Sequence, residues 1–383
     1  MTARLEGLTQ YVRYPKRMRR GNAASCRHNG CDGLASMLEA IRSATRCILM
    51  EFYIFRDDKT GQSFANALIE KAQSGVIVHV TVDAWGNLDV SDDFYDRMRL
   101  AGVRIHEYRP VTFLTALRGP GRRNHRKILV TDFTKAFIGG LNIADDYASL
   151  EQGGHGWRDT LIELEGPIVH DIVRLALNAL GRLNVSGIEY QRSRTLEIEG
   201  ASVWAGLLTN SSRGQRQRIR RSYLKAIEAA TESIILANAY FLPERKIRRA
   251  LARAVRRGVR VCVLLPKHSD VRVVGWASRY LFSGFLRAGV ELYEWTESML
   301  HAKVAVVDKV WMTVGSYNLD QRSLRSNLEA NIVIFSPDVS GQLHSDLAAD
   351  VARCERVSSQ VWSRRSLMER IRAWFFFQFR ALM

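Results

Sequence analysis

The strongest constraint on this chain is a five-residue pattern that occurs twice at the same spacing. The first copy, HRKILVTDFTKAFIGGLN, runs from His125 to Asn142, and the second, HAKVAVVDKVWMTVGSYN, runs from His301 to Asn318. Both copies place Lys two positions after His, Asp five after Lys, Gly seven after Asp and Asn three after Gly. At background usage such a pattern arises on the order of once per few million positions, so the two copies indicate an internal duplication.

The sequence around each copy also repeats in the same order. In both halves a helical pattern precedes a buried, strand-like run, which reads CILMEFYIF in the first half and SIILANAYF in the second. Further helices and strands then alternate up to the repeated pattern. This order predicts an α/β fold with two homologous βαβ-type lobes in a pseudo-twofold arrangement, mainly parallel sheet in each lobe and one shared active site.

The same repetition predicts the boundaries of the lobes. We expect a first lobe over residues 33–166, a connecting helix and linker over 167–212, and a second lobe over 213–350. Residues 1–32 are basic and show no pattern that predicts regular structure, and residues 351–383 predict a basic, aromatic helix.

The charge of the chain predicts an anionic partner. Its 383 residues include 56 Lys and Arg against 39 Asp and Glu, a formal net charge of +17. Nucleic acid and an acidic membrane surface both fit, and charge alone does not separate them. No apolar run reaches the roughly 18–20 residues of a membrane span, and the N-terminus lacks the apolar core of a signal peptide. The scattered cysteines predict neither a disulfide framework nor a metal site.

Side chains alternate across a strand, so each repeated His shares a face with its Lys. Asp132 and Asp308 lie at odd offsets from those histidines and face the other way, which predicts a structural role for both. The residues predicted to share the catalytic face are His125, Lys127, His301 and Lys303.

Two copies around one pocket suit the chemistry of a phosphoryl group. The two lysines, with Asn142 and Asn318, offer positive charge and hydrogen bonds to phosphate oxygens. One neutral His can attack phosphorus while the other, protonated, gives its proton to the leaving alcohol. A nucleophilic His also needs a group that fixes its tautomer. The candidates are Asp159 and Glu329, each lying after its own copy of the pattern.

The doubled HxKxxxxD with GSxN resembles the phospholipase D superfamily from about residue 24 to residue 350. Within it, the phrases NHRKILVTD, AFIGGLNIADDY, LIELEGPIV, IILANAYFLP, LHAKVAVVD, TVGSYNLDQRSL and NLEANIVI are most similar to the shorter, B-type bacterial cardiolipin synthases. The resemblance implies a cofactor-free, metal-independent enzyme that works in two steps through a phosphatidyl-histidine intermediate. It also implies a peripheral protein of the cytoplasmic membrane.

Residue roles follow from the same resemblance. It counts Asp132 and Asp308 among the catalytic motif residues, makes His125 the nucleophile and His301 the general acid and then base. It pairs Glu329 with His301 and Asp159 with His125. The first copy departs from the family pattern at one position. That position is Gly140, where the family has Ser. Its counterpart in the second copy, Ser316, keeps the hydroxyl.

Two segments are candidates for membrane contact. The C-terminal segment carries Trp374, Phe375 and Phe376 among arginines, which suits insertion at an anionic interface, although the same helix could dock on the protein's own core. The loop over residues 104–124, longer than its counterpart in the second half, carries Phe113 and Leu114 among arginines. It is either a plain surface loop or a lipid-touching loop.

Three functions fit the sequence. The leading hypothesis is a phosphatidyltransferase that makes cardiolipin from phosphatidylglycerol, with phosphatidylglycerol or phosphatidylethanolamine as the phosphatidyl donor. The alternative is a phosphodiesterase that hydrolyses phospholipid or nucleic acid. Because one chain carries both copies, lipid is favoured over nucleic acid. A catalytically silent binding protein is the third, and two intact copies argue against it. The sequence leaves open which His attacks first, the oligomeric state and the membrane face.

Overall fold

The computed structural model of the protein describes residues 2–112, 119, 121–180, 197–212 and 214–383, with the side chains of residues 2–6 excepted. Phe113 and Leu114 therefore lie outside the described residues.

Fifteen strands are described. In chain order they are β1 Arg19–His28, β2 Cys47–Phe52, β3 Ile77–Asp83, β4 Arg104–Tyr108, β5 Lys127–Thr131, β6 Lys135–Gly139, β7 Thr160–Glu165, β8 Val203–Thr209, β9 Ser233–Asn238, β10 Arg260–Pro266, β11 Glu291–Trp295, β12 Lys303–Val307, β13 Trp311–Gly315, β14 Ala330–Phe335 and β15 Glu355–Arg356.

The described α-helices lie between these strands in the chain and at both of its ends. They are α1 Thr2–Tyr11, α2 Asn29–Ser43, α3 Lys59–Gln73, α4 Asp92–Leu100, α5 Ile168–Ala179, α6 Arg218–Ala229, α7 Arg245–Arg256, α8 Arg272–Arg287, α9 Gln321–Arg325, α10 Pro337–Arg353, α11 Ser359–Ser363 and α12 Leu367–Gln378. Among the described residues, no helix is both long enough and apolar enough to cross a bilayer.

The strands form one sheet in the order β15-β11-β10-β9-β12-β13-β14-β8-β1-β7-β6-β5-β2-β3-β4. Read outward from the β8–β1 junction, the two halves have equivalent strand orders, so the predicted α/β fold with a pseudo-twofold relation is confirmed. The prediction of mainly parallel sheet is wrong. Parallel pairing is limited to β2, β3 and β4 in the first half and to β9, β10 and β11 in the second. The strands from β12 to β5 in the middle of the sheet pair with their neighbours antiparallel. Residues 132–134 alone connect β5 to β6, and so short a connection favours antiparallel neighbours; β7 then pairs antiparallel with β6.

Alternation along the strands gives the sheet two buried faces. In β2, Ile48 and Met50 pack into a cluster of the first half, whereas Leu49 packs into a different cluster on the opposite face. That second cluster also contains residues of β12, β13 and β14, together with Ile172 of α5 and Leu347 of α10. The two halves therefore share one core, which fixes the position of one copy of the pattern relative to the other.

Both terminal segments contain regular structure, which the sequence predicted for the C-terminal one alone. Residues 1–32, for which the sequence predicted no element, form α1 and β1, and β1 joins the halves by pairing with β7 on one side and β8 on the other. At the other end, α12 begins with a capping box of Ser366 and Glu369 and packs against α8.

Candidate active site

Each repeated His lies in the short segment that enters a strand, immediately before β5 or β12. The backbone N–H of His125 donates to Leu328 O at 3.0 Å, and that of His301 donates to Arg158 O at 2.8 Å. Short parallel bridges join Asn124 to Leu328 and Arg158 to Leu300. Each His segment is therefore held by the segment that precedes β7 or β14 of the opposite half.

This pairing of segments from opposite halves decides which carboxylate supports which histidine. Glu329 follows Leu328, and both its carboxylate oxygens lie 3.1 Å from His125 Nδ1. Asp159 follows Arg158, and its Oδ2 lies 2.7 Å from His301 Nδ1. The pairing expected from the sequence is thus wrong, because each carboxylate serves the histidine of the other half. A carboxylate on Nδ1 fixes the proton there and leaves the lone pair of the ring on Nε2. Nε2 of His301 lies 3.0 Å from Lys303 Nζ.

Hydroxyl groups support the two His–carboxylate pairs differently. Of the three residues that supply these hydroxyls, the sequence analysis identified Ser316 but not Ser323 or Tyr147. Ser316 and Ser323 both donate to Glu329, the second at 2.8 Å. In the other pair, the Tyr147 hydroxyl lies 3.0 Å from His301 Nδ1 and accepts from Asn142 Nδ2 at 2.9 Å. Tyr147 and Ser323 each lie five residues after the repeated Asn, so comparing the two copies beyond that Asn would have found both.

The repeated lysines and asparagines are buried beside the histidines. Lys127 donates to the backbone oxygen of His125 at 2.7 Å, and Lys303 donates to that of His301. Asn142 accepts from Ile54 N as well as donating to Tyr147, which leaves one N–H for a substrate. Asn318 keeps a buried Oδ1 without a hydrogen-bond partner. The pocket thus offers two ammonium groups and amide groups with unused hydrogen-bonding capacity.

Electrostatic coupling shows that the groups of both halves act on one another. Burial, and then Lys127, lowers the pKa of His125 to about 4, against the opposing effect of Glu329. The pKa of His301 is also lowered, first by burial and then by Lys303. The same two causes lower the pKa of Lys127 well below its ordinary value. Burial raises the pKa of Asp159, but Lys303 and His301 outweigh it, so the net shift is downward. Lys303 thus acts on His125 and Asp159 of the other half as well as on His301.

The repeated aspartates of the two copies lie at the far ends of their strands. Asp132 follows β5 and accepts from the backbone N–H groups of Thr45, Arg46 and Cys47. Asp308 follows β12 and accepts from the equivalent segment, Thr231–Ser233, and from the Tyr11 hydroxyl at 2.7 Å. These bonds fasten the start of β2 and β9. Neither aspartate contacts a catalytic histidine, so a catalytic role for them has no support in the geometry.

Aromatic rings that the sequence analysis did not predict pack beside both histidines. Tyr53 packs edge-on against His125 at 5.1 Å between centroids, and its ring lies 5.2 Å from Lys127 Nζ. Trp157 and Tyr240 pack on His301 at 5.6 and 6.2 Å. Such rings keep water away from the imidazoles and strengthen the local electrostatics. Within the described residues, no group of three or more His, Cys, Asp or Glu side chains is arranged to hold a metal ion.

A family model described as "Cardiolipin synthase, PLD-like domain" matches residues 37–152 and 223–351, which together make up more than half of the chain. The chain belongs to this family. The two matched segments each contain one copy of the repeated pattern, so the family assignment and the internal duplication rest on the same residues.

Bacterial relatives match over most of the chain. Cardiolipin synthase B of Escherichia coli strain K12 is 35% identical over 355 residues, covering 91% of this chain and 85% of that protein. Cardiolipin synthase 2 of Bacillus anthracis is 32% identical, covering 90% of this chain and 67% of that protein. The crystal structure of phosphatidylserine synthase from Haemophilus influenzae superposes with a TM-score of 0.71 at 13% identity and covers 100% of this chain and 99% of that chain, which supports the fold alone.

Gly140 marks a real difference between the two halves of this cardiolipin synthase family member. A Cβ at position 140 would overlap both carboxylate oxygens of Asp159, whereas Ser316 stands beside the carboxylate of Glu329 and donates to it. We expect Gly140→Ser to push Asp159 off His301 and to lower turnover at least about tenfold, because the imidazole loses its fixed tautomer. Steady-state kinetics would measure this effect.

Ser316→Gly is the matched control for that substitution. It removes one donor to Glu329 but leaves Ser323 in place and creates no overlap, so turnover should fall less than in Gly140→Ser. Equal losses in the two variants would contradict the steric explanation.

Proposed function

We propose that the protein is a phosphatidyltransferase that makes cardiolipin by passing a phosphatidyl group to a hydroxyl of phosphatidylglycerol. The observation that carries the proposal is the pair of buried His–carboxylate contacts, crossed between the halves and accompanied by two buried lysines. The identity to cardiolipin synthases over most of the chain supports the choice of lipid as substrate.

The first step forms a bond between phosphorus and a histidine. His125 Nε2 attacks the phosphodiester while the bond from phosphorus to the leaving alcohol breaks, and His301, protonated, gives that alcohol its proton. In the second step, neutral His301 takes the proton of a phosphatidylglycerol hydroxyl, whose oxygen attacks phosphorus and releases His125. The proton therefore returns to His301, and the phosphodiester count is unchanged.

The electrostatics of the pocket explain how His301 becomes an acid. Burial and then Lys303 lower its pKa. A phosphodiester brings one negative charge into the pocket, and an anion nearby raises the pKa of an imidazole. Substrate binding therefore favours protonation of the histidine that faces the leaving group. Lys127 and Lys303 stabilise the charge that develops on the phosphoryl oxygens.

We further propose that the protein is peripheral and works at the surface of the cytoplasmic membrane. In α12, Trp374 and Phe375 are half exposed, and Leu367 and Met368 are more than two-thirds exposed. The helix meets the protein through its other face. There Phe376 packs on Trp276 at 4.9 Å between centroids, so Phe376, one of the three residues expected to touch lipid, belongs to the docking face instead.

Shortening the exposed aromatic side chains should weaken membrane binding. We expect the double variant Trp374→Ala, Phe375→Ala to bind phosphatidylglycerol vesicles more weakly, by roughly tenfold or more. The reason is that less apolar side-chain area is then buried in the membrane on binding. Co-sedimentation would measure it. Leu100→Ala, an equally apolar and more exposed site on α4, is the control and should bind normally. Unchanged sedimentation of the double variant would refute the interfacial role of α12.

Incubation of the purified protein with labelled phosphatidylglycerol vesicles, followed by thin-layer separation of the lipids, tests the proposed reaction. Cardiolipin and free glycerol are the expected products, and added phosphatidylethanolamine would then compete as the phosphatidyl donor if it is used. Phosphatidic acid alone would establish water as the acceptor and a hydrolase. No conversion of any lipid would refute a lipid substrate and direct the search to nucleic acid.

A further inference from the structure

Arginine side chains converge where α7, α8, α9 and α12 meet. A groove of about 430 Å³ between α7 and α8 is lined by Arg245, Arg248 and Arg249 with Leu281 and Phe285. A second, of about 360 Å³, contains Arg248 with Arg325 and Arg380, and a third, of about 380 Å³, contains Arg248 with Arg287, Arg365 and Arg370. Arg248 is the residue common to all three grooves.

This cluster lacks the anions that would neutralise it. Arg248 Nε is buried without a hydrogen-bond partner, and among the described residues Arg245, Arg248 and Arg249 form no ion pair. Glu244, the carboxylate that lines the second groove, is held by Arg220 at 2.9 Å. Burial, and then the neighbouring Arg245 and Arg380, lowers the pKa of Arg248. A bound anion would relieve both the repulsion and the orphaned donor.

The surroundings indicate which anion fits. The third groove is bounded by Ala373 and Arg370 of α12, the helix that also exposes Trp374 and Phe375. Tyr280 and Phe377 stack at 4.3 Å between centroids and hold α12 beside the grooves. An anion bound there lies where an inserted aromatic helix meets the headgroup layer. A phosphate attached to a lipid satisfies that position, and a free phosphate ion gains nothing from the apolar neighbours.

We propose that Arg248, with Arg245 and Arg249, binds the phosphate of an anionic phospholipid headgroup at a second, non-catalytic lipid site that docks the protein on the membrane. This proposal rests on the lipid function proposed above. The site adjoins the catalytic pocket through α9. Arg325 of that helix lines a groove, Ser323 donates to Glu329, and the Arg322 N–H donates to Met383 O at 2.9 Å. A lipid held at Arg248 thus brings the membrane surface next to the catalytic histidines.

Vesicle flotation with Arg248→Gln tests the site. Phosphatidylglycerol in phosphatidylcholine vesicles is the probe, and Arg256→Gln is the control. Arg256 lies on the same helix and is exposed, but it lines none of these grooves. We expect Arg248→Gln to bind about tenfold more weakly and Arg256→Gln to stay within about twofold of the original protein. Equal weakening in both variants, or none in Arg248→Gln, would overturn the proposal in favour of diffuse attraction.

Two further readouts separate this proposal from the catalytic one. Turnover of a short-chain phosphatidylglycerol dispersed as monomers should be unchanged in Arg248→Gln, and a matching loss there would mean that Arg248 serves the fold or the catalytic pocket. Inorganic phosphate at millimolar concentration should leave vesicle binding unchanged, and displacement would make this a free-anion site. If the original protein converts no lipid but its vesicle binding still depends on Arg248, the catalytic proposal fails and the docking site stands.

Discussion

Replacing either His125 or His301 by Ala should lower turnover at least about a thousandfold while the thermal unfolding curve stays close to that of the original protein. One substitution removes the atom that bonds to phosphorus and the other removes the proton donor for the leaving alcohol, and neither task passes to a neighbouring group. Labelled phosphatidylglycerol vesicles would measure turnover. His344→Ala on α10 is the control, because that histidine lies away from the pocket and should tolerate the change.

The same variants reveal which histidine attacks. A phosphodiester with a very acidic leaving alcohol needs no proton donor, so it should restore the first step in the variant that lacks the acid. We expect such a substrate to rescue His301→Ala and to leave His125→Ala inactive. Rescue of His125→Ala alone would reverse the two roles, and substantial activity of either variant on phosphatidylglycerol would end the two-histidine mechanism.

Asp159→Asn should lower the pKa of His301 and leave that of His125 nearly unchanged, and Glu329→Gln should do the reverse. The sign follows from the electrostatics. Each carboxylate favours the imidazolium of its partner and so raises a pKa that burial has lowered, and an amide removes that contribution. Turnover should fall by about 10² to 10³ in each variant, because the tautomer is no longer fixed. Histidine resonances followed by NMR across pH would measure both pKa values.

The opposite assignment of shifts would restore the pairing within each half and contradict the crossed contacts. Both variants keep the shape of the side chain, so a folded protein is expected, and the melting temperature checks this. Asp346→Asn is a suitable control. That carboxylate accepts from His28 Nε2 at 2.8 Å outside the pocket, and its loss should alter neither His125 nor His301.

Much of the site could be predicted from the sequence because its chemistry is local and repeated. The spacing of His125 to Lys127, and its recurrence at His301, places each pair on one strand face by the alternation of side chains. The same alternation turned Asp132 away from the pocket, where it accepts the backbone N–H groups of Thr45–Cys47. A family resemblance then supplied the reaction, because the matched motifs are the reacting residues themselves.

The pairing of distant segments could not be predicted in this way. Glu329 serves His125 because Leu328 pairs with Asn124 across the halves, and no local pattern encodes which half supplies a partner. Tyr147 reaches His301 for the same reason. The basic N-terminal segment looked irregular, yet β1 became the strand that joins the halves, because its neighbours β7 and β8 supply the hydrogen bonds that hold it.

The sequence by itself determined the duplication, the α/β class, the two His–Lys pairs and the basic, aromatic composition of α12. The tertiary structure alone decided the crossed carboxylates, the meeting of three arginine grooves at Arg248 and the face of α12 that remains exposed. Periodicity and spacing act within a few residues and specify each element. The docking of two halves on one shared core then decides which atoms, far apart in the chain, come within hydrogen-bond distance.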